Sequence, residues 1–574
     1  MVSPNLATKK IDTGGEELND SAKKLFQAVY NDSHRSDEGD DETPRLHVST
    51  LVSKMAFFYE KIRNAVDYEE DHLLRKNAIA RILKRQIVIE GLLKTQDTNT
   101  LAQHLLEELI RARYLPNNTL PENKTKEVEI ILEKYLQLKN ECLLHFESGL
   151  GLSFDKGKAK NEMRERARLV GWILSMAACE IEENLVLNQI KPAMVNVMFS
   201  TLDRIIKLPP ELPYGEDLDI QIYLSISRTY SRFDEDMLSF VLFKYYNQGW
   251  VDNHIDASIG PNEEKIKSVA KSINLLRQSI NFQIKHPLRK QLDRLVRRYA
   301  LYFTVLQDTI STDPARIYND FRQNPKSFIN AIRKVCNRKY KKAKSRLWRA
   351  AMRSIIYIFL TKSVFVFLIE VPAINWFNEP LNPVSLGINV AFPVVLLFII
   401  VMFTRVPGES NTDRIVEGVK EISYVGSERQ QPIVLRNPRR RSRAMNFVFN
   451  LVYTATFFVS IYFIVWFLTL IQFNWVSIVI FLFFLAFVSF FSIIVTRGVK
   501  ELLVVEKKEN LPSFLLDLFY MPIIMAGKWL SQNASKVNIF IFIFDVIIEA
   551  PFKIIVDVAE EWTKYIKERK DNMV

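Results

Sequence analysis

Four long apolar stretches in the C-terminal half constrain this chain more than any other feature of its sequence. Hydrocarbon about 30 Å thick requires about 20 apolar residues in a helix. Four segments meet that requirement: Ser354–Val371, Leu386–Thr404, Phe447–Gln472 and Val476–Thr496. The sequence therefore predicts an α-helical transmembrane bundle with at least four spans.

Lysine and arginine are distributed asymmetrically around these stretches. The segment before the first stretch is rich in lysine and arginine and the loop at 405–445 is rich in arginine, whereas the loops at 372–385 and 473–475 contain neither residue. This alternation follows the positive-inside rule and predicts that both termini are cytosolic, most simply at a plasma (inner) membrane. The net charge of +12 is then explained by membrane topology, so we expect no nucleic-acid partner.

Two further apolar segments near the C-terminus contain charged residues. The first, Leu511–Leu530, holds Asp517, Pro522 and Lys528. The second, Asn538–Val558, has four charged residues at every fourth position, which places them on one narrow stripe of a helix. Because charges at membrane depth are costly, we expect interfacial or re-entrant helices in both segments, with full spanning as the alternative.

The N-terminal region is mainly helical in pattern, and no apolar stretch near Met1 suggests a secretory signal peptide. The alternation of apolar and polar residues from Ile220 to Ile226 is also compatible with one strand. Asp313–Pro314 and Asn324–Pro325 both have the form of a helix N-cap followed by proline, and the second is expected to start a helix that runs unbroken to Val371.

The expected fold class is mainly α, with a large helical cytosolic N-terminal region followed by a C-terminal transmembrane bundle. The expected segments are a disordered acidic tail at 1–44, a cytosolic helical domain at 45–312, a basic helical stalk at 313–353, a transmembrane hairpin at 354–404, a basic cytosolic loop at 405–445, a second hairpin at 446–497, and amphipathic or re-entrant helices with a cytosolic tail at 498–574.

Lys362 lies near the middle of the first apolar stretch, and an intramembrane lysine needs an acidic partner or a path to the interface. The other three stretches contain no acidic residue. The acids within reach are Glu370 on the same helix, or Asp517, Asp545 and Glu549 in the tail segments. The candidate intramembrane pair is Lys362 with Asp545 or Glu549, which supports either a structural ion pair or a polar transport pathway.

Five arginines stand just before the third apolar stretch: Arg436, Arg439, Arg440, Arg441 and Arg443. Clustered cations beside a span attract anionic lipid headgroups by about 1 kcal/mol per charge. We therefore expect the lipid bilayer, and anionic lipids in particular, to contact this cluster. The same arginines also serve as a topology signal.

Motifs of catalysis are weak or incomplete throughout the sequence. The stretch from Gly151 to Lys158 has the wrong spacing for a phosphate-binding loop, and Glu69-x-x-His72 is half of a di-iron template. Cys142, Cys179 and Cys336 are widely spaced and predict neither a disulfide framework nor a zinc site. We expect no enzyme activity, no cofactor and no metal. The favoured hypothesis is a membrane-tethered scaffold whose cytosolic domain binds a protein partner, and the alternative is a transporter or channel that uses Lys362 and the acidic tail segments.

Overall fold

A computed structural model gives a mainly helical molecule with almost no strand. It describes residues 70–89, 97–148, 156–186, 190–251, 262–424, 431–438, 442–504 and 510–536, with the short segments 22–27 and 44–46 and a few scattered positions outside these ranges. Two compact units are present. The helical unit includes residues 23–300 and 430–436, and the bundle unit includes residues 301–429 and 437–538.

The helical unit is built from helices joined by short connections. Asp234 and Asn262 cap two of them by accepting hydrogen bonds from the backbone N–H groups of Met237 and Lys265. In chain order the helices are α1 Asp71–Lys84, α2 Thr98–Arg111, α3 Asn123–Ser148, α4 Lys156–Leu185, α5 Ile190–Ile205, α6 Leu218–Thr229, α7 Glu235–Tyr246 and α8 Glu263–Ile284. A further helix, α9 Arg289–Ile310, follows and crosses the boundary between the units in sequence.

One continuous apolar core holds the helical unit together, and α4 lies at its centre in contact with α1, α3 and α7. Several buried charged groups within the unit are paired. Lys76 is 1% exposed and donates to Asp234 and Asp236 at 2.5 and 3.1 Å. Burial by itself lowers the pKa of Lys76, but the two carboxylates outweigh burial and hold that pKa above its usual value.

Helix α6 occupies the place where the alternating pattern left room for a strand, so that alternative is wrong. Its polar residues are buried with partners and do not face water. Gln221 donates to the side-chain and backbone oxygens of Gln283, and Ser225 donates to Asp293. A helix that is buried on several sides has no continuous polar face, so its sequence does not show the 3.6-residue period of an amphipathic helix.

A short parallel strand pair completes the helical unit. Strand β1, Ile206–Lys207, pairs with β2, Ile433–Val434, in the register Ile206 with Ile433 and Lys207 with Val434. Beside it, the Gln291 side chain donates to the Arg436 carbonyl and accepts from the Arg436 N–H. A segment of the loop between the second and third apolar stretches is therefore part of the helical unit.

The bundle unit contains the apolar helices. Both caps expected from the Asp–Pro and Asn–Pro pairs are confirmed, because Asp313 accepts from the Arg316 N–H and Asn324 from the Ser327 N–H. The helices of this unit after α9 are α10 Pro314–Gln323, α11 Pro325–Phe365, α12 Val371–Trp376, α13 Pro383–Met402, α14 Glu409–Ser423, α15 Arg443–Leu470, α16 Trp475–Lys500 and α17 Leu511–Lys536.

The long helix that the sequence predicts from Pro325 is present and continues beyond Val371 to Trp376, with one irregularity. Residues Val366–Glu370 form a π turn between α11 and α12. Pro372 follows this turn, and its missing N–H removes the helical partner of the carbonyl four residues earlier. A single wide turn next to a proline is a known way for a helix to absorb that loss.

Five helices are long and apolar enough to cross a membrane, by length and composition: Pro325–Trp376, Pro383–Met402, Arg443–Leu470, Trp475–Lys500 and Phe514–Ser531. The fifth lies in the segment for which we expected an interfacial or re-entrant helix. It forms a 26-residue helix, α17, that packs along α16 and also contacts α15. The second ambiguous segment, 538–558, lies outside the described residues apart from Val558.

Close backbone approach fixes the packing of α17 on α16. A Cβ atom at Gly527 would overlap the backbone carbonyl of Ala486, whereas a Cβ atom at Gly387 in α13 would meet open space. Small residues allow apolar helices to approach in this way when no hydrophobic effect drives them together.

We therefore predict that Gly527→Ala destabilises the purified protein by about 1–3 kcal/mol, because the methyl group overpacks the interface. The matched change Gly387→Ala should be neutral or slightly stabilising, since alanine favours a helix by about 0.5–1 kcal/mol over glycine. Thermal unfolding in mild detergent measures both variants. Equal shifts for the two would contradict the close approach of α17 to α16.

Candidate functional site: a buried polar cluster among the apolar helices

Four polar side chains meet inside the bundle unit at the junction of α11–α12, α13 and α16. We call Lys362, Glu370, Asn389 and Ser477 the buried polar cluster. Lys362, Glu370 and Ser477 are 0% exposed and Asn389 is 1% exposed. Such groups are expensive to bury unless they bind one another.

Glu370 is the centre of this cluster. One carboxylate oxygen, Oε1, accepts hydrogen bonds from Asn389 Nδ2 at 2.5 Å and from Ser477 Oγ at 2.8 Å. Asn389 Nδ2 also donates to the backbone carbonyl of Ser477 at 3.2 Å. One carboxylate thus joins three helices, and it stands on the π turn that distinguishes this helix from its neighbours.

Lys362 interacts with its neighbours through its charge and not through a hydrogen bond. Its ammonium nitrogen lies 3.9 Å from Glu370 Oε2, which is beyond hydrogen-bond distance, and 3.8 Å from the centre of the Phe484 ring. A desolvated cation–π contact of this kind contributes about 2 kcal/mol. The aromatic face and the carboxylate together compensate the buried positive charge.

The local sequence explains why the cluster forms here. Pro393 lies within α13, four residues after Asn389, so the Asn389 carbonyl has no helical N–H to bind. Ser477 lies in the first turn of α16, which Asn474 caps by accepting from the Ser477 N–H at 2.8 Å. Asn389 therefore lies where Pro393 interrupts the hydrogen bonding of α13, and Ser477 lies where α16 begins.

Ring and polar contacts give the directions of the helices around the cluster. Trp348 contacts Phe398, while Glu370 binds Asn389, so α11 and α13 are antiparallel. Phe392 contacts Phe481 in the same order as Asn389 contacts Ser477, so α13 and α16 are parallel. These directions agree with consecutive membrane crossings.

The sequence predicted a partner for Lys362 in the tail, and the structure supplies a different acid. Among the described residues the carboxylate beside Lys362 is Glu370, one of the four acids that the sequence offered. Asp545 and Glu549 lie outside the described residues, so a pair with either of them stays a prediction. Asp517 is exposed on α17.

The predicted arginine cluster is described only at its two ends. Arg436 is exposed and takes part in the backbone pairing with Gln291, and Arg443 is the first residue of α15. Arg439, Arg440 and Arg441 lie outside the described residues. Lipid contact by this cluster stays a prediction.

Sequence reasoning missed Asn389, Ser477 and Phe484. The signal was present for the first two, because polar side chains within otherwise apolar stretches seek partners in lipid. Phe484 gave no signal, since it is one of many phenylalanines in its helix.

A second set of buried charges lies within the helical unit, apart from the pair made by Lys76. Glu180 accepts from Lys134 at 2.5 Å and from the Tyr135 hydroxyl at 2.8 Å, and burial raises the pKa of this carboxyl against the opposing effect of Lys134. Arg75 binds both carboxylate oxygens of Glu182 at 2.6 Å. Within the described part of the chain no three histidine, cysteine or acidic side chains are grouped to hold a metal ion.

Comparison with protein-family models, with curated proteins and with solved structures found no match. The chemistry of its own residues is therefore the basis for any function assigned to this chain.

We predict that Lys362→Met and Glu370→Gln each destabilise the protein, because each leaves a buried group without its partner. Loss of one member of a buried pair costs about 3–5 kcal/mol in soluble proteins. The double variant should be more stable than the sum of the single effects implies. Thermal unfolding in detergent measures this double-mutant cycle.

The exposed lysine Lys528 of α17 provides the matched control, and Lys528→Met should leave the unfolding temperature nearly unchanged. If Lys362→Met is as harmless as the control, the ion pair does not stabilise the bundle.

Proposed function

We propose that this chain is a multi-pass membrane protein whose helical unit is tethered at the cytosolic face of a plasma (inner) membrane, where it binds a protein partner without catalysing a reaction. The observation that carries the proposal is the buried polar cluster. Its two charges are fully enclosed and face one another, as expected for helices that form a fixed anchor.

The surface of the bundle unit supports placement in a bilayer. Large apolar side chains such as Ile356, Phe367, Phe447 and Phe463 are more than half exposed on its helices. Contiguous apolar surface of this extent is stable in lipid and would drive aggregation in water.

The ends of the apolar helices support the orientation. Trp376, Phe377 and Trp475 lie together at one end, where Phe377 and Trp475 are in ring contact at 4.7 Å. At the opposite ends of their apolar stretches four helices carry or are followed by an arginine: Arg353, Arg405, Arg443 and Arg497. Aromatic residues mark membrane interfaces and arginines mark the cytosolic side.

The count of spans depends on α17. Gly527 packs on Ala486, and Tyr520 lies close to Ser489 and Ser492, so α17 runs antiparallel to α16. An antiparallel helix of this length reaches from the arginine end towards the tryptophan end. With α17 as a fifth span, a cytosolic C-terminus requires one more crossing in 538–558.

We expect cysteine probes at Asn378 and Ser535 to react with a membrane-impermeant maleimide from outside, and a probe at Ser427 to react only after the cytosol is opened. The native cysteines are buried and should contribute little background. External labelling of Ser427 would contradict the orientation, and cytosolic labelling of Ser535 would return α17 to an interfacial or re-entrant position.

A partner surface is offered by exposed apolar residues on α7 and α8. Leu275 and Phe282, seven residues apart on one face of α8, are 69% and 57% exposed. Tyr245 and Tyr246 lie at the end of α7, and Tyr246 is adjacent to Gln283 of α8. Exposed apolar and aromatic residues of this kind anchor protein interfaces.

Copurification from membranes in mild detergent tests the scaffold proposal. We expect the wild type to retain a protein partner in fixed stoichiometry and the variant Leu275→Glu/Phe282→Glu to lose it, because buried charge opposes docking. The control Leu144→Glu/Met163→Glu changes two other exposed apolar residues of the helical unit and should retain the partner. A wild-type protein that purifies alone, or a partner that survives the first variant, would count against this surface.

Transport is the second candidate function, and one observation favours it. Lys362 Nζ and Glu370 Oε2 have no hydrogen-bond partner among the described residues, and Glu370 stands on a π turn, a feature often found at functional sites. A transporter would lose flux in the stable double variant Lys362→Met/Glu370→Gln, whereas a scaffold would bind its partner as the wild type does.

A further inference from the structure

The part of α11 that precedes the apolar stretch carries one stripe of cations. Lys342, Arg346, Arg349 and Arg353 follow one another at spacings of four, three and four residues, which places them on a single face of the helix. All four are exposed. We call these four residues the cationic stripe.

The same face becomes apolar immediately beyond the stripe. Ile356 and Leu360 continue the spacing of three and four residues and are 55% and 57% exposed. The opposite face of α11 is buried, with Leu347 and Ala351 packed in an apolar cluster with residues of α13 and α16. The cationic stripe therefore points away from the bundle, in line with side chains that would face lipid.

Two other cations of α11 have acidic partners. Arg333 binds Asp413 at 2.7 Å and Lys339 binds Asp308 at 2.5 Å. No stripe residue forms an ion pair within the described part of the chain. Their polar contacts are local, from Arg349 to the Ser345 hydroxyl and from Arg353 to the Arg349 carbonyl.

The sequence of the helix gives these charges no compensation. Between Asp320 and Glu370 the chain contains no acidic residue. Four exposed cations in about 17 Å of helix, at 1.5 Å per residue, repel one another unless an external anion lies between them.

We propose that the cationic stripe binds the phosphate groups of anionic phospholipids at the cytosolic interface. Arginine binds phosphate through two N–H groups at once. Each cation near an anionic membrane surface contributes about 1 kcal/mol, which corresponds to about fivefold in affinity. Headgroup phosphates lie directly above acyl chains, and the stripe lies directly beside the apolar part of the same face.

This continuity favours lipid over nucleic acid, because a nucleic-acid site has no need of an apolar surface in register with its cations. The site rests on the proposed placement of the apolar helices in a bilayer, which maleimide labelling tests separately. It is also distinct from the arginine cluster, which lies about 80 residues later in the sequence, just before α15.

Native mass spectrometry of the full-length protein in detergent tests the site by titration with phosphatidylglycerol, with phosphatidylcholine as the neutral lipid. We expect phosphatidylglycerol to bind at least tenfold more tightly than phosphatidylcholine. The variant Arg349→Gln/Arg353→Gln should weaken phosphatidylglycerol binding about 25-fold, from two charges at about fivefold each.

Lys326→Gln/Lys334→Gln removes two exposed cations farther from the apolar stretch of the same helix and should leave lipid binding unchanged. Arg349→Lys/Arg353→Lys retains the charge and should retain most of the affinity, which separates a binding defect from misfolding. Equal binding of phosphatidylglycerol by the wild type and the glutamine variant would overturn the proposal. If inorganic phosphate displaces phosphatidylglycerol at equal concentration, the stripe is a site for a free ion. If the glutamine variant loses binding of a short DNA duplex but keeps binding of phosphatidylglycerol, the stripe is a nucleic-acid site. Either result would overturn the proposal.

Discussion

The Glu370 carboxylate imposes a constraint that the surrounding bundle satisfies. A carboxylate enclosed by apolar helices must be matched by donors and by a positive charge, since no water compensates it there. Asn389, Ser477 and Lys362 provide these from three directions. Because these hydrogen bonds require specific distances, the carboxylate constrains the axial register of the three helices that it joins.

Much of the bundle could be predicted because its signals are local. The length of an apolar run, an arginine at its end and an Asn–Pro cap each depend on a few neighbouring residues, as the start of α11 at Pro325 illustrates. Lys362 also correctly indicated that an acidic residue lies close to it. Physical rules that act within one helix can be read from one sequence.

The remainder depends on contacts between distant residues. Nothing near Lys362 indicates whether its partner is Glu370 or a tail acid, since the choice follows from how α13 and α16 meet the π turn. Likewise, the spacing of Gln221 and Ser225 is compatible with the polar face of a strand. Their burial in a helix depends on hydrogen bonds to Gln283 and Asp293, which are distant in the sequence. Aspartate and lysine in α17 suggested partial insertion, whereas the close contact at Gly527 becomes visible only in three dimensions.

The pairing of β2 with β1 has a consequence for the order in which the protein is made. Residues Ile433–Val434 emerge from the ribosome more than two hundred residues after Ile206, and after the chain segments that form α11 and α13. The helical unit therefore cannot complete its structure as a free N-terminal product. Among the described elements of this unit, β2 becomes available only once the first apolar hairpin has been synthesised, so the strand pair forms after that hairpin has been made.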